Sequence, residues 1–177
     1  MDGQARLEEF ADYAAARQSH LKRTAFLLCG DWHEAQDLTQ TALLNLCKAW
    51  PRAKRADSID AYAQKTLINA YLGGRRKRIR EREVHAAVAV TATPFAREDQ
   101  PDLRLALLAA LAELPPRGRA VVVLRFWADF SIEATAAALE CSTGNVKSHS
   151  SRALVRLREL LGDSLADFEY SREGGQR

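Results

Sequence analysis

The segment Ser131-Ile-Glu-Ala-Thr-Ala-Ala-Ala-Leu139, then Glu140-Cys141, then Ser142-Thr-Gly-Asn-Val-Lys-Ser-His-Ser-Ser-Arg-Ala-Leu-Val-Arg-Leu-Arg158, reads as a short helix, a tight turn and a longer helix. Ser131 and Ser142 each stand just before a helical run, where a serine hydroxyl accepts one of the orphan backbone N–H groups. Ala134, Ala137 and Ala138 are small enough to let a second helix cross closely. Ile132, Leu139, Val146, Ala153, Leu154 and Leu157 supply an apolar seam at helical spacing. This is the helix-turn-helix pattern, in which the second helix enters the DNA major groove and its N-terminal residues reach base edges. From Cys141 to Arg158 the fixed charges are Lys147, Arg152, Arg156 and Arg158, with no acid among them. Asn145, Lys147, Ser148, His149, Ser151, Arg152 and Arg156 are therefore the candidate duplex-DNA contacts.

Upstream, the chain is again helical in pattern. Leu7, Phe10, Ala14, Leu21, Ala25 and Leu28 predict one amphipathic helix over 7–28, ended by Cys29-Gly30. Asp31 is placed to cap a second helix, with Glu34 three positions on. That helix carries Ala35, Leu38, Ala42, Leu46 and Ala49 on one face and stops before Pro51. A basic loop, Arg52 to Asp57, leads to Ser58, which caps a third helix over 59–72. Gly73-Gly74 is expected to weaken or bend it, and six of the eight residues from Arg75 to Arg82 are basic. A solvated face or a phosphate-binding patch are both open readings of that run. Trp50, Tyr62 and Tyr71 lie among these charges. Aromatics interleaved with bases suit single-stranded nucleic acid, although each ring alone also suits a core. Residues 84–102 lack periodicity and read as a linker. Helical pattern resumes over 103–114, breaks at Pro115-Pro116 and continues over 117–126. No stretch alternates with period two, so the expected fold class is all-α: two small helical domains, 1–83 and 103–162, with a linker at 84–102 and a flexible tail at 163–177.

The 177 residues suffice for one domain or two small ones, and 47% hydrophobic with 28% charged residues is a globular balance. No apolar stretch approaches the roughly 20 residues of a membrane span, and the N-terminus has no basic head followed by an apolar core. Cys29, Cys47 and Cys141 are too few and too scattered for a disulfide framework. These features predict a soluble, cytoplasmic protein without membrane insertion. The net charge is only +3, so the case for a polyanionic partner rests on where the charges sit. No glycine-rich phosphate loop or nucleophile motif is present, so no enzymatic activity is expected. Cys29 and His33 have a zinc-like spacing with Cys47 downstream, but four-ligand spacing is absent. No metal and no cofactor is expected.

Two further strings join this pattern. Leu111-Ala-Glu-Leu-Pro-Pro-Arg-Gly-Arg-Ala-Val-Val-Val-Leu-Arg125 resembles the entry to region 4 of bacterial sigma factors of the extracytoplasmic-function (ECF) group, actinobacterial branch. Ser142-Thr-Gly-Asn-Val-Lys-Ser148 with Ser151-Arg-Ala-Leu154 resembles its recognition helix. Gly30-Asp-Trp32 and Ala35-Gln-Asp-Leu-Thr-Gln40 resemble region 2, so that the likeness covers about residues 10–161. It implies an RNA polymerase specificity subunit that directs transcription initiation. Asp31, Asp37, Leu38, Gln40 and Leu44 would belong to the helix docking on the β′ clamp helices of core RNA polymerase. Arg52, Lys54, Arg55, Tyr62, Lys65, Asn69, Arg75 and Arg76 would read and open the −10 element. The recognition helix would read the −35 duplex, and the apolar outer face of region 4 would meet the β flap. Promoter DNA, duplex and melted, and an anti-sigma factor are the other implied partners.

The sequence departs from the family pattern at several positions. Gln36 and Thr41 stand where acids are usual, Glu140 where glycine is usual, Tyr62 where many members have tryptophan, and His149 where arginine is frequent. Two other readings remain open on the residues alone. One is a stand-alone helix-turn-helix regulator, which would need neither the acidic face at 31–40 nor the basic loop. The other is an interaction protein using the 75–82 run.

Overall fold

Four helix starts, those at Trp32, Ile59, Ile132 and Thr143, are set by a side chain that takes up an orphan N–H group. Asp31 Oδ1 accepts from the Glu34 N–H at 2.7 Å, Ser58 Oγ from Ala61 at 3.1 Å, Ser131 Oγ from Ala134 at 2.9 Å and Ser142 Oγ from Asn145 at 3.1 Å. The computed structural model describes residues 2–82 and 101–162. The helices are α1 (Asp2–Cys29), α2 (Trp32–Lys48), α3 (Trp50–Ala53), α4 (Ile59–Arg82), α5 (Pro101–Glu113), α6 (Pro116–Val122), α7 (Ile132–Leu139) and α8 (Thr143–Leu161). A π-helical turn, Val123–Trp127, extends α6. No strand occurs among the described residues, so the fold is all-α. The expected tail at 163–177 and residues 84–100 of the expected linker 84–102 lie outside the described residues, whereas Pro101 and Asp102 already belong to α5.

Three expectations are corrected. The helix from Ile59 does not end at Leu72 but runs on through Gly73-Gly74 to Arg82. Glycine costs about 1 kcal/mol in a helix, yet a helix already nucleated and held by buried Leu67, Ile68 and Tyr71 can propagate through it. The basic loop starts later than Arg52, because Trp50–Ala53 form a single helical turn with Pro51 near its start, where a missing N–H is harmless. The 117–126 helix is split: Ala128 N–H reaches Val123 C=O at 3.0 Å, five residues back, which widens the last turn.

The core runs through both halves of the chain. Leu21, Ala25 and Leu28 of α1, Leu38, Ala42 and Leu46 of α2, and Leu67 and Ile68 of α4 pack in one cluster with Val121, Val123, Leu124, Leu139 and Val146. A second cluster gathers Leu111 and Leu114 with Val122, Ala153, Leu157 and Leu161, and Leu27 of α1 packs against it. Full burial of each such Leu or Val stabilises by roughly 1.5–3 kcal/mol relative to exposure. The two halves, α1–α4 and α5–α8, are thus in contact through apolar side chains.

Polar contacts follow the same seam. Arg119, only 5% exposed, donates to the Leu28 carbonyl at 2.6 Å, to Ala112 at 2.5 Å and to Leu114 at 3.4 Å. Leu28 and Ala112 are in the last turns of α1 and α5, where carbonyls lack intrahelical partners and the helix dipole is negative. A buried cation is therefore compensated by helix ends from both halves. Trp127 Nε1–H donates to Thr24 Oγ1 at 3.1 Å, and its ring stacks on His20 at 6.1 Å between centroids.

Candidate nucleic-acid interface

The turn between α7 and α8 is closed by Cys141 N–H on Ala136 C=O at 3.0 Å, a Schellman-type bond around Glu140. Glu140 sits in the left-handed region, φ 51° and ψ 51°, the conformation for which glycine is the usual residue. From this turn α8 projects with Val146 fully buried as its anchor. Asn145, Lys147, Ser148, Ser151, Arg152 and Arg156 are exposed, and His149 is half-buried. Residues 145, 148, 152 and 156 follow helical spacing along one face. Arg152 Nε donates to Ser148 O at 3.3 Å, and Arg156 pairs with Glu159 at 3.1 Å. Burial, then the Arg152 and Arg117 cations, hold the His149 imidazole below its ordinary range. Arg117 was not among the expected residues; its place at the start of α6 after Pro115-Pro116 gave no sign that it would face α8. A shallow groove on α8 is lined by Ile132, Leu154 and Val155 with Arg125, Lys147 and Arg158 at its rim. Val155 is half exposed.

The α3–α4 region presents a second basic face. Arg52, Lys54 and Arg55 are exposed around the loop, and Asn69 is exposed on α4. Tyr62 and Lys65 are half-buried. Trp50 and Tyr71 are core residues, each 3% exposed, so of the three aromatics only Tyr62 is left near the surface. Tyr62, Lys65 and Asn69 share a face of α4, and α7 packs on this helix. Lys65 Nζ lies 3.4 Å from Glu140 Oε1, and Lys54 Nζ lies 2.5 Å from Glu9 Oε2. Arg75 and Arg76 fall on α4 where only the backbone is described.

On α2 the exposed Asp37, Gln40 and Leu44 form a stripe at spacings of three and four. Leu44 is 63% exposed, an unpartnered apolar side chain between polar neighbours. Asp31 is taken up as the helix cap, and Leu38 is in the core at 5% exposure. The indole of Trp32 stacks on Phe26 at 4.1 Å, with the Lys22 ammonium 5.6 Å from the ring centroid.

No group of three or more His, Cys, Asp or Glu that could hold a metal occurs among the described residues. The cysteines are free, and no described helix is long and apolar enough to cross a membrane.

An all-α chain with a helix-turn-helix in its second half and a basic loop and helix in its first has the layout of a sigma-70-type protein. The family models agree: "Sigma-70 region 2" matches residues 14–81 and "Sigma-70, region 4" matches 104–157. The RNA polymerase sigma-E factor of Streptomyces coelicolor is 40% identical over 153 residues, covering 86% of each chain. The ECF RNA polymerase sigma factor SigM of Mycobacterium tuberculosis is 31% identical over 148 residues, 82% of this chain and 72% of that one. A solved structure of the sigma factor RpoE in complex with the anti-sigma factor NepR, from Bartonella quintana, superposes with a TM-score of 0.68. It is 28% identical, and the match covers 87% of this chain and 97% of that one. The chain belongs to the ECF RNA polymerase sigma factors.

Proposed function

We propose that this sigma factor binds core RNA polymerase through the exposed α2 stripe Asp37, Gln40 and Leu44. It reads the −35 duplex with Asn145, Lys147, Ser148, His149, Ser151 and Arg152 of α8, and Arg156 adds a phosphate contact. It reads and opens the −10 element with Arg52 and Arg55 of the loop and with Tyr62, Lys65 and Asn69 of α4, continued by Arg75 and Arg76, while Lys54 of the same loop is paired with Glu9. The domain limits that go with this reading are 1–83 for region 2 and 103–162 for region 4. Such a protein has no catalytic chemistry of its own, acts in the cytoplasm at the nucleoid and is regulated by an anti-sigma factor, the kind of partner with which the Bartonella quintana relative was solved.

The observation that carries this reading is the presence of two separate basic faces, on α3–α4 and on α8, beside one acidic-polar stripe with an exposed leucine on α2. A stand-alone operator binder would use only α8. On duplex DNA the α8 residues combine phosphate positioning with base-edge contacts. At the −10 element a flipped base of the non-template strand exchanges stacking in the duplex for stacking and hydrogen bonds at the protein. Melting then needs no ATP, because binding of the open strand offsets unpairing. The apolar residues of the α8 groove, half-buried Leu154 and exposed Val155, suit an apolar helix of the β flap. Because α7 rests on α4 and Glu140 meets Lys65, engagement of the −10 strand requires region 4 to move off region 2.

The test is run-off transcription with purified chain, core RNA polymerase and fragmented genomic DNA of the source organism. Discrete transcripts that require the chain are expected, with shared sequences near −10 and −35. Duplex binding without any dependent transcript would overturn the reading in favour of a stand-alone regulator.

A further inference from the structure

The first half of α1 is bound to the −10 loop at both of its ends. Residues 9, 10, 13 and 17 share one face of α1. Phe10 and Tyr13 place their rings 5.4 Å and 5.3 Å from the Trp50 ring, just before the loop. Lys54 Nζ donates to Glu9 Oε2 at 2.5 Å. At the other end, Tyr13 OH donates to Asp60 Oδ1 at 2.9 Å and Arg17 donates to Asp60 Oδ2 at 2.5 Å. Between these anchors Ser58 caps α4. The pairing also sorts the charges. Lys54 is neutralised by Glu9 and Asp60 by Arg17, whereas Arg52 and Arg55 are exposed and make no ion pair among the described residues.

We infer that Glu9, Tyr13 and Arg17 are positioning residues for promoter specificity: they fix the 54–60 segment and withhold Lys54 from DNA, so that Arg52 and Arg55 are the loop cations presented to the −10 strand. This rests on the assignment of the loop to the −10 element. A pair of opposite charges adds nothing to the count of phosphates neutralised, so Glu9 keeps the loop from binding any strand indiscriminately. Freeing Lys54 adds one cation, and one added phosphate contact on a single strand steepens the dependence of log K on log salt by about 0.7. Removing only the Tyr13 hydroxyl changes no charge; it loosens one end of the loop.

The experiment uses holoenzyme reconstituted with the full chain: wild type, Glu9→Gln and Tyr13→Phe. The probe is an oligonucleotide carrying the non-template −10 strand of a promoter recovered by run-off transcription, together with its single-base variants. For Glu9→Gln the salt slope should steepen by about 0.7 and discrimination among −10 variants should fall about 3- to 10-fold. For Tyr13→Phe the slope should stay that of wild type while discrimination falls. Affinity for core polymerase and thermal unfolding of the free chain, measured in parallel, should stay close to wild type in both. An unchanged slope for Glu9→Gln, or an equal loss on every −10 variant in both mutants, overturns the inference and leaves the −10 assignment standing. A wild type that shows no −10 preference at all overturns the assignment, and the inference with it.

Discussion

Replacing Arg119 by methionine should separate the two halves of the molecule energetically. The guanidinium is 5% exposed and serves three carbonyls, those of Leu28, Ala112 and Leu114. Methionine keeps the aliphatic stem and removes every donor. The Leu28 residue is fully buried, so its carbonyl is left without water, at a cost of about 1–3 kcal/mol. Ala112 is exposed, and water can replace its bond. The contact to Leu114, at 3.4 Å, is the weakest of the three. Relief of the buried cation's desolvation offsets part of this loss, so the net destabilisation should be about 2 kcal/mol. With an m-value of about 2 kcal/mol per molar urea, the midpoint falls by about 1 M. Tryptophan fluorescence reports on both halves, since Trp32 and Trp50 lie in the first and Trp127 bonds Thr24 across the seam. The Trp127 signal, isolated in a background with Trp32 and Trp50 replaced by phenylalanine, should change at lower urea than far-ultraviolet helicity. Lysine at 119 should not restore stability, because a point cation cannot span three carbonyls as the planar fork does. A midpoint shift below about 0.3 M, with fluorescence and helicity still coincident, would show that the carbonyl cage does not hold the halves together.

Glu140→Gly should stabilise the free chain by about 0.5–1 kcal/mol in thermal unfolding: relief of the left-handed backbone outweighs loss of an exposed pair to Lys65. Arg152→Ala should lower −35-dependent initiation by a factor of about 10, a loss of about 1–3 kcal/mol in duplex binding, whereas Asp37→Ala should weaken polymerase binding and leave promoter choice unchanged. Equal loss of polymerase affinity from both would contradict the assignment of the two faces. His149 has its folded value depressed, so as pH falls the unfolded chain binds the proton first. Its contribution is full above about pH 6.5 and declines as pH drops through the lowered value. Urea midpoints for His149→Gln should show a flatter pH dependence between pH 5 and 7 than wild type, and parallel curves would exclude this residue as the source.

Features that act over a few residues were legible in the chain itself. The caps Asp31, Ser58, Ser131 and Ser142, the stop at Gly30 and the helix-turn-helix follow from spacing alone, because each is closed by groups three to six positions apart. The exposed stripes on α2 and α8 follow likewise from helical periodicity. Local pattern also misled where a neighbour elsewhere dominated, as at Gly73-Gly74 within α4 and at Trp50-Pro51 in α3. Nothing local marked Arg119 among the many arginines as the buried one, because its partner Leu28 is 91 residues away. The pairing of Trp127 with Thr24 spans 103 residues and that of Lys54 with Glu9 spans 45. Periodicity tells which face of a helix is apolar but not which helix will cover it. The packing of α7 on α4, the taking of Lys65 by Glu140, and the burial of Arg119 among helix ends therefore arise only when the halves meet, and the taking of Lys54 by Glu9 only when α1 packs beside the loop of its own half. Burial then makes each unpaired polar group costly, and long-range partners are selected by that cost.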